Sequence, residues 1–349
     1  MKLNKVVKTA VAALAAVSLL AACSSGSGTT SGGSASTTAA STETGGESTS
    51  GGREGGTALN FTTGGDQGTY YGFGGVVAGK VGETTSTTVT AITSGGSAAN
   101  IEALQAGDAQ IGFSQSDVMA YAYEGTRLFD ETGAVTNIST VANLYMEQVQ
   151  IVTLDESIKT VEDLKGKNVS IGAAGSGVYF NAIDVLGVYG LTEDDISPTY
   201  QSFGDSTEAL QDGKIDAAFV VAGAPTTAVT SLSATKQVYL VSIDADHVKQ
   251  LIEESPYYSE ATISKDAYGT PEDATTVAVG AVVIANDDVS EDDIYNFCWG
   301  VFENIDSISA AHDKGKELDL EFAASVTAVP YHPGAAAYYA EKGITVPTK

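Results

Sequence analysis

The fold of this chain is decided by residues 61–71, which read FTTGGDQGTYY. The apolar residues Ala58, Leu59 and Phe61 indicate a short strand before the glycines, and residues 71–81 favour a helix after them. Such a strand, glycine loop and helix start direct free backbone N–H groups and the positive end of a helix dipole toward one point. Glycine also lets a ligand approach the backbone closely. The stretch therefore predicts a site for a carboxylate or another small anion, while a glycine turn without a ligand is the alternative.

The first 22 residues have the pattern of a secretory signal peptide. Three lysines precede an apolar run at residues 11–22, and small residues follow it. The run is too short to span a bilayer comfortably, and it ends in Leu-Ala-Ala-Cys. This ending resembles the lipobox of bacterial lipoproteins, which are cleaved before the cysteine and acylated on its sulfur. We therefore predict that Cys23 is lipidated; the alternative is an incidental cysteine in an ordinary signal peptide.

Residues 24–56 consist almost wholly of Ser, Gly, Thr and Ala with a few Glu. This composition buries too little apolar surface to offset the entropy of ordering the chain. A coil of this kind spans roughly 30 Å, so it can tether a folded body to a membrane surface. We expect the folded body to begin near Thr57 and to be long enough for two α/β lobes. No later run approaches the length of a transmembrane helix.

The composition restricts the partners of the folded body. The formal net charge of −27 at pH 7 makes nucleic acid an unsuitable partner. Arg127 is the only arginine after residue 56, since Arg53 falls in the predicted tether. A bidentate arginine clamp is therefore hardly available for an anion. We expect backbone N–H groups and hydroxyls to carry most of its recognition.

An internal repeat predicts the architecture. The motif EALQ(A/D)G occurs at residues 102–107 and 208–213, each time before a strand-like run, and GTYY at 68–71 resembles GVYF at 177–180. Each half then reads as strand, glycine loop and helix, followed by helix, glycine turn and strand. This alternation is typical of an open, mostly parallel α/β sheet whose ligands lie beyond the carboxyl ends of the strands. Two such lobes would direct two glycine loops into one cleft; the alternative is that the motif is merely a common helix ending.

Two further loops of the first half repeat the arrangement. Residues 93–97 form a second glycine loop, and Ser97 is placed to cap the helix that contains Asn100. After a third strand, Gln115 is placed either to cap a helix or to contact a ligand. We expect Asp117 to act as a helix cap.

The remaining elements assign the lobes. We predict separate strands at residues 138–144 and 149–154, with a crossing between lobes near Met146. We predict a long apolar strand at residues 277–285 and assign it to the first lobe. We predict one amphipathic helix at residues 290–308. The predicted domains are a signal peptide at 1–22, the lipidated cysteine with a disordered tether at 23–56, lobe 1 at 57–147 and 271–349, and lobe 2 at 148–270.

An enzyme is the alternative from another functional class, and the sequence does not favour it. The three histidines, His247, His312 and His332, have no metal-ligand spacing, and no Ser-His-Asp or Cys-His grouping is apparent. We expect His332 to order the turn before the last helix. Cys298 lies between Phe297 and Trp299, which predicts a buried, inert thiol.

These motifs together resemble the TAXI family, the solute receptors of one group of tripartite ATP-independent periplasmic (TRAP) transporters. The resemblance covers most of residues 57–349 and implies a type II periplasmic-binding-protein fold. It implies capture of small organic acids or acidic amino acids such as glutamate, and delivery to a membrane permease driven by an ion gradient. Asp66 and Gln67 stand where the family usually has small residues, and Val178 where it often has Thr. The motifs that carry the resemblance are TGG at 63–65, GTYY at 68–71, GGS at 95–97 with Asn100, QSD at 115–117, GSG at 175–177, and HPGA at 332–335 before Tyr338 and Tyr339.

The predicted ligand site joins the glycine loops of both lobes. Tyr70 and Tyr179 are expected to form an aromatic wall, and Asp66 either pairs with a ligand ammonium group or caps its own turn. A ligand that bridges the lobes would favour a hinged, closed state. The predicted contacts are Gly65, Asp66, Gly68, Thr69, Tyr70, Gly95, Ser97, Asn100, Gln115, Gly175, Ser176, Gly177 and Tyr179.

The expected partners follow from this reading. They are a small carboxylate or acidic amino acid, a TRAP-type permease, and the outer face of a bacterial cell membrane through the lipid on Cys23. We expect a monomer that needs no cofactor or metal. A binding lipoprotein of an ABC transporter would share both the fold and the anchor, so it remains the closest alternative.

Overall fold

The computed structural model describes residues 51–349. The predicted signal peptide, Cys23 and the tether up to residue 50 lie outside the described residues, so lipidation stays a prediction. Within residues 51–349, no helix has both the length and the apolar character needed to cross a membrane.

Strands and helices alternate along most of the described chain, as the repeat predicts. The strands are β1 (Ala58–Thr62), β2 (Thr88–Ile92), β3 (Ile111–Gln115), β4 (Ile138–Thr153), β5 (Asn168–Ser170), β6 (Ser197–Thr199), β7 (Ala217–Ala222), β8 (Tyr239–Leu240), β9 (Ser259–Ile263) and β10 (Ala274–Asn286). The helices are α1 (Thr69–Thr84), α2 (Ser97–Ala106), α3 (Ser116–Glu124), α4 (Val178–Val188), α5 (Phe203–Gln211), α6 (Thr227–Ser233), α7 (Ala245–Glu254), α8 (Glu291–Phe302), α9 (Ile305–Ala311), α10 (Leu320–Ala323) and α11 (Pro333–Glu341).

The strands form two mostly parallel groups that two long strands connect. The main order is β2-β1-β3-β10-β4-β7-β5-β6, with β8 beside β4 and β9 beside β10. Strands β1, β2 and β3 are parallel to one another, as are β5, β6 and β7. Strands β4 and β10 are antiparallel to their neighbours and run from one group to the other. The predicted α/β class with two lobes, each a mostly parallel sheet flanked by helices, is confirmed.

Each group of strands has its own apolar packing. One cluster surrounds Phe61, Phe113 and Tyr339 and combines the beginning and the end of the described chain. The other group has a cluster on each face of β7: Phe219 packs into one and Val220 into the other. Successive side chains of a strand point to opposite faces, so β7 is covered on both sides, as expected for parallel sheets between helices.

Three element predictions differ from the structure. Residues 138–153 form one strand instead of two, because the backbone of Glu147 and Gln148 pairs with β10 and continues the ladder through the polar residues. Strand β10 does not belong to one lobe alone, since it pairs with β3, β4 and β9. The helix predicted at 290–308 divides into α8 and α9 at Asn304, whose φ of −126° is not helical.

The residues just before β1 contact the folded body. The guanidinium group of Arg53 lies 4.1 Å from the centre of the Tyr295 ring and 3.1 Å from a carboxylate oxygen of Asp292. The backbone N–H of Arg53 donates to Asn296 Oδ1, and the side chain of Asn296 donates back to the carbonyl of Arg53. Residues 51–56, which the sequence predicts to be part of the disordered tether, therefore pack against α8.

Candidate functional site

One cavity lies between the two halves, at the carboxyl ends of their parallel strands. Its volume is about 90 Å³, and both Gly68 and Gly177 line it. One water molecule needs roughly 10–15 Å³ measured in the same way, so the cavity has room for a molecule of several heavy atoms. The two glycine loops therefore meet at one place, as the internal repeat predicts.

Three long helices begin at this cavity without a capping side chain. The N-cap residues of α1, α2 and α4 are Gly68, Gly96 and Gly177, and none provides a side-chain hydrogen bond. By contrast Ser202, the N-cap residue of α5, does cap its helix. The first N–H groups of an uncapped helix lack intrahelical acceptors and carry a partial positive charge. Their convergence makes the cavity suitable for an anion.

Two polar side chains reach the cavity without a hydrogen-bond partner in the described chain. Gln115 is 2 % exposed and Ser176 is 8 % exposed, and neither Gln115 Oε1 nor Ser176 Oγ is bonded. Gln115 occupies the N-cap position of α3, yet its side chain does not cap that helix. Buried polar atoms in folded proteins are almost always satisfied. Both atoms therefore point to a molecule that would bond them.

Ser97 and Asp117 have roles other than those predicted. Ser97 is the first helical residue of α2 and not its cap, and its Oγ accepts a hydrogen bond from the backbone N–H of Gln115 at 3.1 Å. Asp117 lies inside the first turn of α3, and its Oδ2 accepts a 2.9 Å hydrogen bond from Asn181 of α4. Both side chains thus connect separate elements, which spacing along the chain does not reveal.

Glu147 is the most important lining residue that the sequence reasoning missed. It projects from β4, is 2 % exposed and lines the cavity. The hydroxyl of Tyr70 donates to its Oε2 at 2.6 Å, and the Tyr70 ring stacks on Phe113 with 4.5 Å between centroids. Burial raises the pKa of Glu147 to about 8 despite this hydrogen bond. Glu147 is the only acidic residue of β4, and this is the signal that sequence reading could have used.

Most of the predicted contacts lie around the cavity. Gly65 and Asp66 are exposed at its edge, and no hydrogen bond from Asp66 to its own turn occurs in residues 51–349. Sequence reasoning also missed Gln67, Gln201, Ser202 and Phe203. The predicted residues that line the cavity are Gly65, Asp66, Gly68, Thr69, Tyr70, Gly95, Ser97, Gln115, Ser176 and Gly177.

Three predicted contacts lie elsewhere. Asn100 is fully buried, and its amide donates to the carbonyls of Thr63 and Phe113, which holds loops together. The carbonyl of Gly175 accepts a hydrogen bond from the N–H of Ala99. The hydroxyl of Tyr179 points away to Glu193. The predicted aromatic wall therefore consists of Tyr70 without Tyr179, because α4 turns the latter side chain outward.

The lining of the cavity includes acidic side chains and no basic ones. Asp66 and Glu147 are its carboxylates, and the residues that line it include no Lys, Arg or His. The nearby Lys314 is 4 % exposed, but its ammonium group bonds Glu317 at 2.5 Å. In the described part of the chain, no group of three or more His, Cys, Asp or Glu residues is arranged to hold a metal ion.

Direct contacts between the halves enclose the cavity. The hydroxyl of Thr69 donates to the carbonyl of Gly223 at 2.9 Å. Farther away, Arg127 bonds Asp184 of α4 at 2.6 Å and lies over the Tyr121 ring at 5.0 Å. Arg127 adopts a φ of 60°, which is uncommon for a residue with a side chain. The halves therefore touch both at the cavity and beside it.

Comparison with known proteins identifies the fold and the family. MatC from Rhodopseudomonas palustris with bound malate matches with a TM-score of 0.52 and 14% identity over 74% of this chain and 88% of that chain. The aliphatic sulphonate binding protein SsuA from Escherichia coli matches with a TM-score of 0.44 and 16% identity, over 84% and 96% of the two chains. The GluR0 ligand-binding core from Nostoc punctiforme with L-glutamate gives 0.44 and 14%, over 74% and 99%. The predicted type II periplasmic-binding-protein fold is confirmed. Residues 61–343 match the model of the NMT1-like family, and the chain belongs to that family.

Proposed function

We propose that this protein is an extracytoplasmic solute receptor that captures a small organic acid or an acidic amino acid between its two lobes. The observation that carries the proposal is the meeting of uncapped helix starts from both halves at one cavity. Unpartnered atoms of Gln115 and Ser176 lie at the same place. MatC, which shares the fold, was solved with malate, and a small carboxylate is the ligand class proposed here.

Closure of the lobes around the ligand is the proposed mechanism. Thr69, Ser97 and Gln115 line the cavity from one side, whereas Ser176 and Gly177 line it from the other. A ligand that bonds both sides gains contacts only in the closed arrangement. Since only such differential contacts shift a conformational equilibrium, ligand binding stabilises closure. A permease that recognises the closed form would then receive loaded receptor.

We propose delivery to a TRAP-type permease driven by an ion gradient, with the protein acting as a TAXI receptor. The set of glycine motifs together with His332-Pro333-Gly334 supports this assignment. The ring of His332 accepts from the N–H of Gly334 and contacts the carbonyl of Val289, so the histidine orders the start of α11 as predicted. A TRAP-type permease gene next to this one, or a gene for an ABC-type ATPase, separates the proposal from the ABC alternative.

The proposed setting is the outer face of a bacterial cell membrane, where a monomer is held by lipid on Cys23. The proposed lobes are residues 57–147 with 271–349, and residues 148–270, and the long strands β4 and β10 cross between them. Mass spectrometry of membrane-extracted protein tests the anchor, since a diacylated cysteine at the new N-terminus has a characteristic mass. A mature chain that retains residues before Cys23 contradicts it.

A thermal-shift screen tests solute capture. Purified, ligand-free protein is heated with acidic amino acids, 2-oxo acids and other small carboxylates, each at millimolar concentration. A ligand that binds only the folded state raises the unfolding temperature, by an amount that grows with the ratio of its free concentration to its Kd. We expect a clear stabiliser, confirmed by calorimetric titration. Absence of any shift across the panel, together with no small molecule released from cell-purified protein on denaturation, overturns the proposed function.

A further inference from the structure

Glu147 presents a buried carboxylate to the cavity without a cationic partner. Its only hydrogen bond within residues 51–349 is the one that Tyr70 donates to Oε2. No Lys, Arg or His of the described chain lies within ion-pair distance of it. Such a carboxylate is costly to bury in its charged form unless it is paired. The protein therefore keeps, in its proposed ligand site, a carboxyl group that lacks a cationic partner.

The groups that surround Glu147 do not supply that countercharge. Tyr70 of α1 is a neutral donor, and Tyr145 on the same strand has a buried hydroxyl with no described partner. Asp117 of α3 is a further carboxyl, which raises the pKa of Glu147. Lys314 lowers that pKa, but its ammonium group is bonded to Glu317. No described neighbour therefore holds Glu147 in its ionised form, and a cation in the cavity would do so.

A region suited to bind an anion lies in the same cavity as Glu147. The starts of α1, α2 and α4 have no side-chain cap and offer backbone donors and partial positive charge, apart from the N–H of Ala99, which donates to Gly175. Gly177 carries no side chain that would cover these donors. One cavity thus combines an anion-binding region with a buried, unpaired carboxylate. A molecule complementary to both carries a carboxylate and a cationic hydrogen-bond donor.

We infer that Glu147 is a specificity-determining residue that selects a ligand bearing an ammonium group beside its carboxylate, such as an α-amino acid. The inference rests on the proposed function and narrows it to the amino-acid half of the proposed ligand class. The ligand ammonium donates to the carboxylate of Glu147, and its carboxylate accepts from the uncapped helix starts. Simple dicarboxylates and 2-oxo acids place an acceptor next to Glu147 and are rejected.

A protonated Glu147 that donates to a second ligand carboxylate is the competing arrangement. It leaves two ligand charges in a cavity whose lining has no cationic side chain. It also reverses the proton balance of binding, because Glu147 must then be neutral in the complex. Proton linkage therefore separates the two arrangements.

Matched ligands provide the first test. Calorimetric titration at pH 7 compares L-glutamate with 2-oxoglutarate and glutarate, and L-aspartate, L-alanine and L-leucine with their 2-oxo and deaminated counterparts. We expect the amino member of the bound series to bind roughly 30-fold or more tightly than its counterparts, as for a buried charge pair that loses one member. In Glu147→Gln the difference shrinks to a few-fold, whereas Glu147→Asp, which keeps the charge, retains the preference. Thermal unfolding checks that both variants are folded.

The proton balance provides the second test. Titration in buffers of different ionisation enthalpy measures protons released or taken up. We expect the amino ligand to bind more tightly between pH 6 and 8.5 as the pH rises, with proton release, because Glu147 must be ionised to accept from it. Glu147→Gln abolishes this dependence.

The outcomes separate the inference from the proposed function. Equal or tighter binding of the 2-oxo or deaminated member, proton uptake on binding, or an undiminished preference in Glu147→Gln overturns the role of Glu147 and leaves solute capture standing. Binding of no member of the panel by a folded protein that also releases no small molecule on denaturation overturns both.

Discussion

Gly177 faces Gln115 across the cavity so closely that a β-carbon added to Gly177 would lie 1.9 Å from Gln115 Oε1. The same β-carbon would lie 2.9 Å from the hydroxyl of Ser97. Gly177 has a φ of −71°, which any residue can adopt, so space and not backbone conformation requires the glycine. The glycine loop of one half therefore accommodates the amide that the other half directs into the cavity.

Gly177→Ala should displace the Gln115 amide and weaken ligand binding. Because both changes act on the same amide, the loss for Gly177→Ala combined with Gln115→Ala should be smaller than the sum of the single losses. Gly187→Ala on the same helix is the matched control, since a β-carbon there meets nothing within 4 Å. It should leave affinity unchanged and add about 0.5–1 kcal/mol to the free energy of unfolding. Full additivity in titrations of the ligand found by screening contradicts this coupling.

Gln115→Ala and Asn100→Ala should separate binding from folding. Gln115 Oε1 is unpartnered in the described chain, so its removal should reduce affinity while the ligand-free protein keeps its unfolding temperature. The amide of Asn100 satisfies two buried carbonyls, so its removal should cost roughly 1–3 kcal/mol of unfolding free energy. Ser97→Ala should show both effects, because Ser97 lines the cavity and its Oγ also accepts the buried N–H of Gln115. Denaturant unfolding and titration measure the two effects, and an equal pattern in both variants contradicts the distinction.

The free energy of unfolding should depend on pH through Glu147. Its pKa rises from the usual 4.5 to about 8 on folding because of burial. The folded state therefore binds the proton more tightly, and stability falls as the pH rises between these two values. In Glu147→Gln the decline between pH 5 and 8 should be smaller, although Asp117, whose burial raises its pKa to about 7, still contributes. Parallel pH profiles for the two proteins contradict the assignment.

Arg127→Ala should weaken closure of the two halves. It removes the ion pair with Asp184 and the contact with the Tyr121 ring. Since the arginine is partly exposed, the loss should be at most about 1 kcal/mol, which is a few-fold in ligand affinity, and should diminish at high salt. Lys214→Ala is the control, because its exposed pair with Asp212 lies within one half. Equal affinities of Arg127→Ala and the unaltered protein at low salt refute a role in closure.

Residues 51–56 should stabilise the folded body. A protein that begins at residue 57 loses the contacts of Arg53 with Tyr295 and Asp292, whereas one that begins at residue 51 keeps them. We expect the shorter protein to unfold a few degrees lower, since 1 kcal/mol corresponds to about 2–4 °C for a domain of around 200 residues. Arg53→Ala in the longer protein should reproduce part of the shift. Identical unfolding temperatures contradict the contribution of these contacts.

Sequence reasoning predicted the features that depend on neighbours along the chain. The motif EALQ(A/D)G marks helix ends at which Gly107 and Gly213 have φ values of 79° and 67°, a conformation that glycine adopts without steric cost. Cys298 is fully buried, as its aromatic neighbours predict, and burial raises the pKa of its thiol. The order of strands, glycine loops and helices was likewise predictable, because capping and apolar periodicity act over a few residues.

Tertiary structure decided which side chains meet. The sequence predicted that Glu147 lies between two strands, but β4 is continuous and Glu147 lies within it. Its side chain reaches the cavity beside Tyr70, which lies 77 positions away along the chain. Asn100 and Tyr179 occupy predicted ligand loops, but the rotation of their helices turns one into the core and the other outward. Sequence by itself therefore determined the class of fold and the location of the loops. The partners of each buried polar group were decided only by packing between distant segments, since hydrogen bonds and desolvation depend on proximity in space.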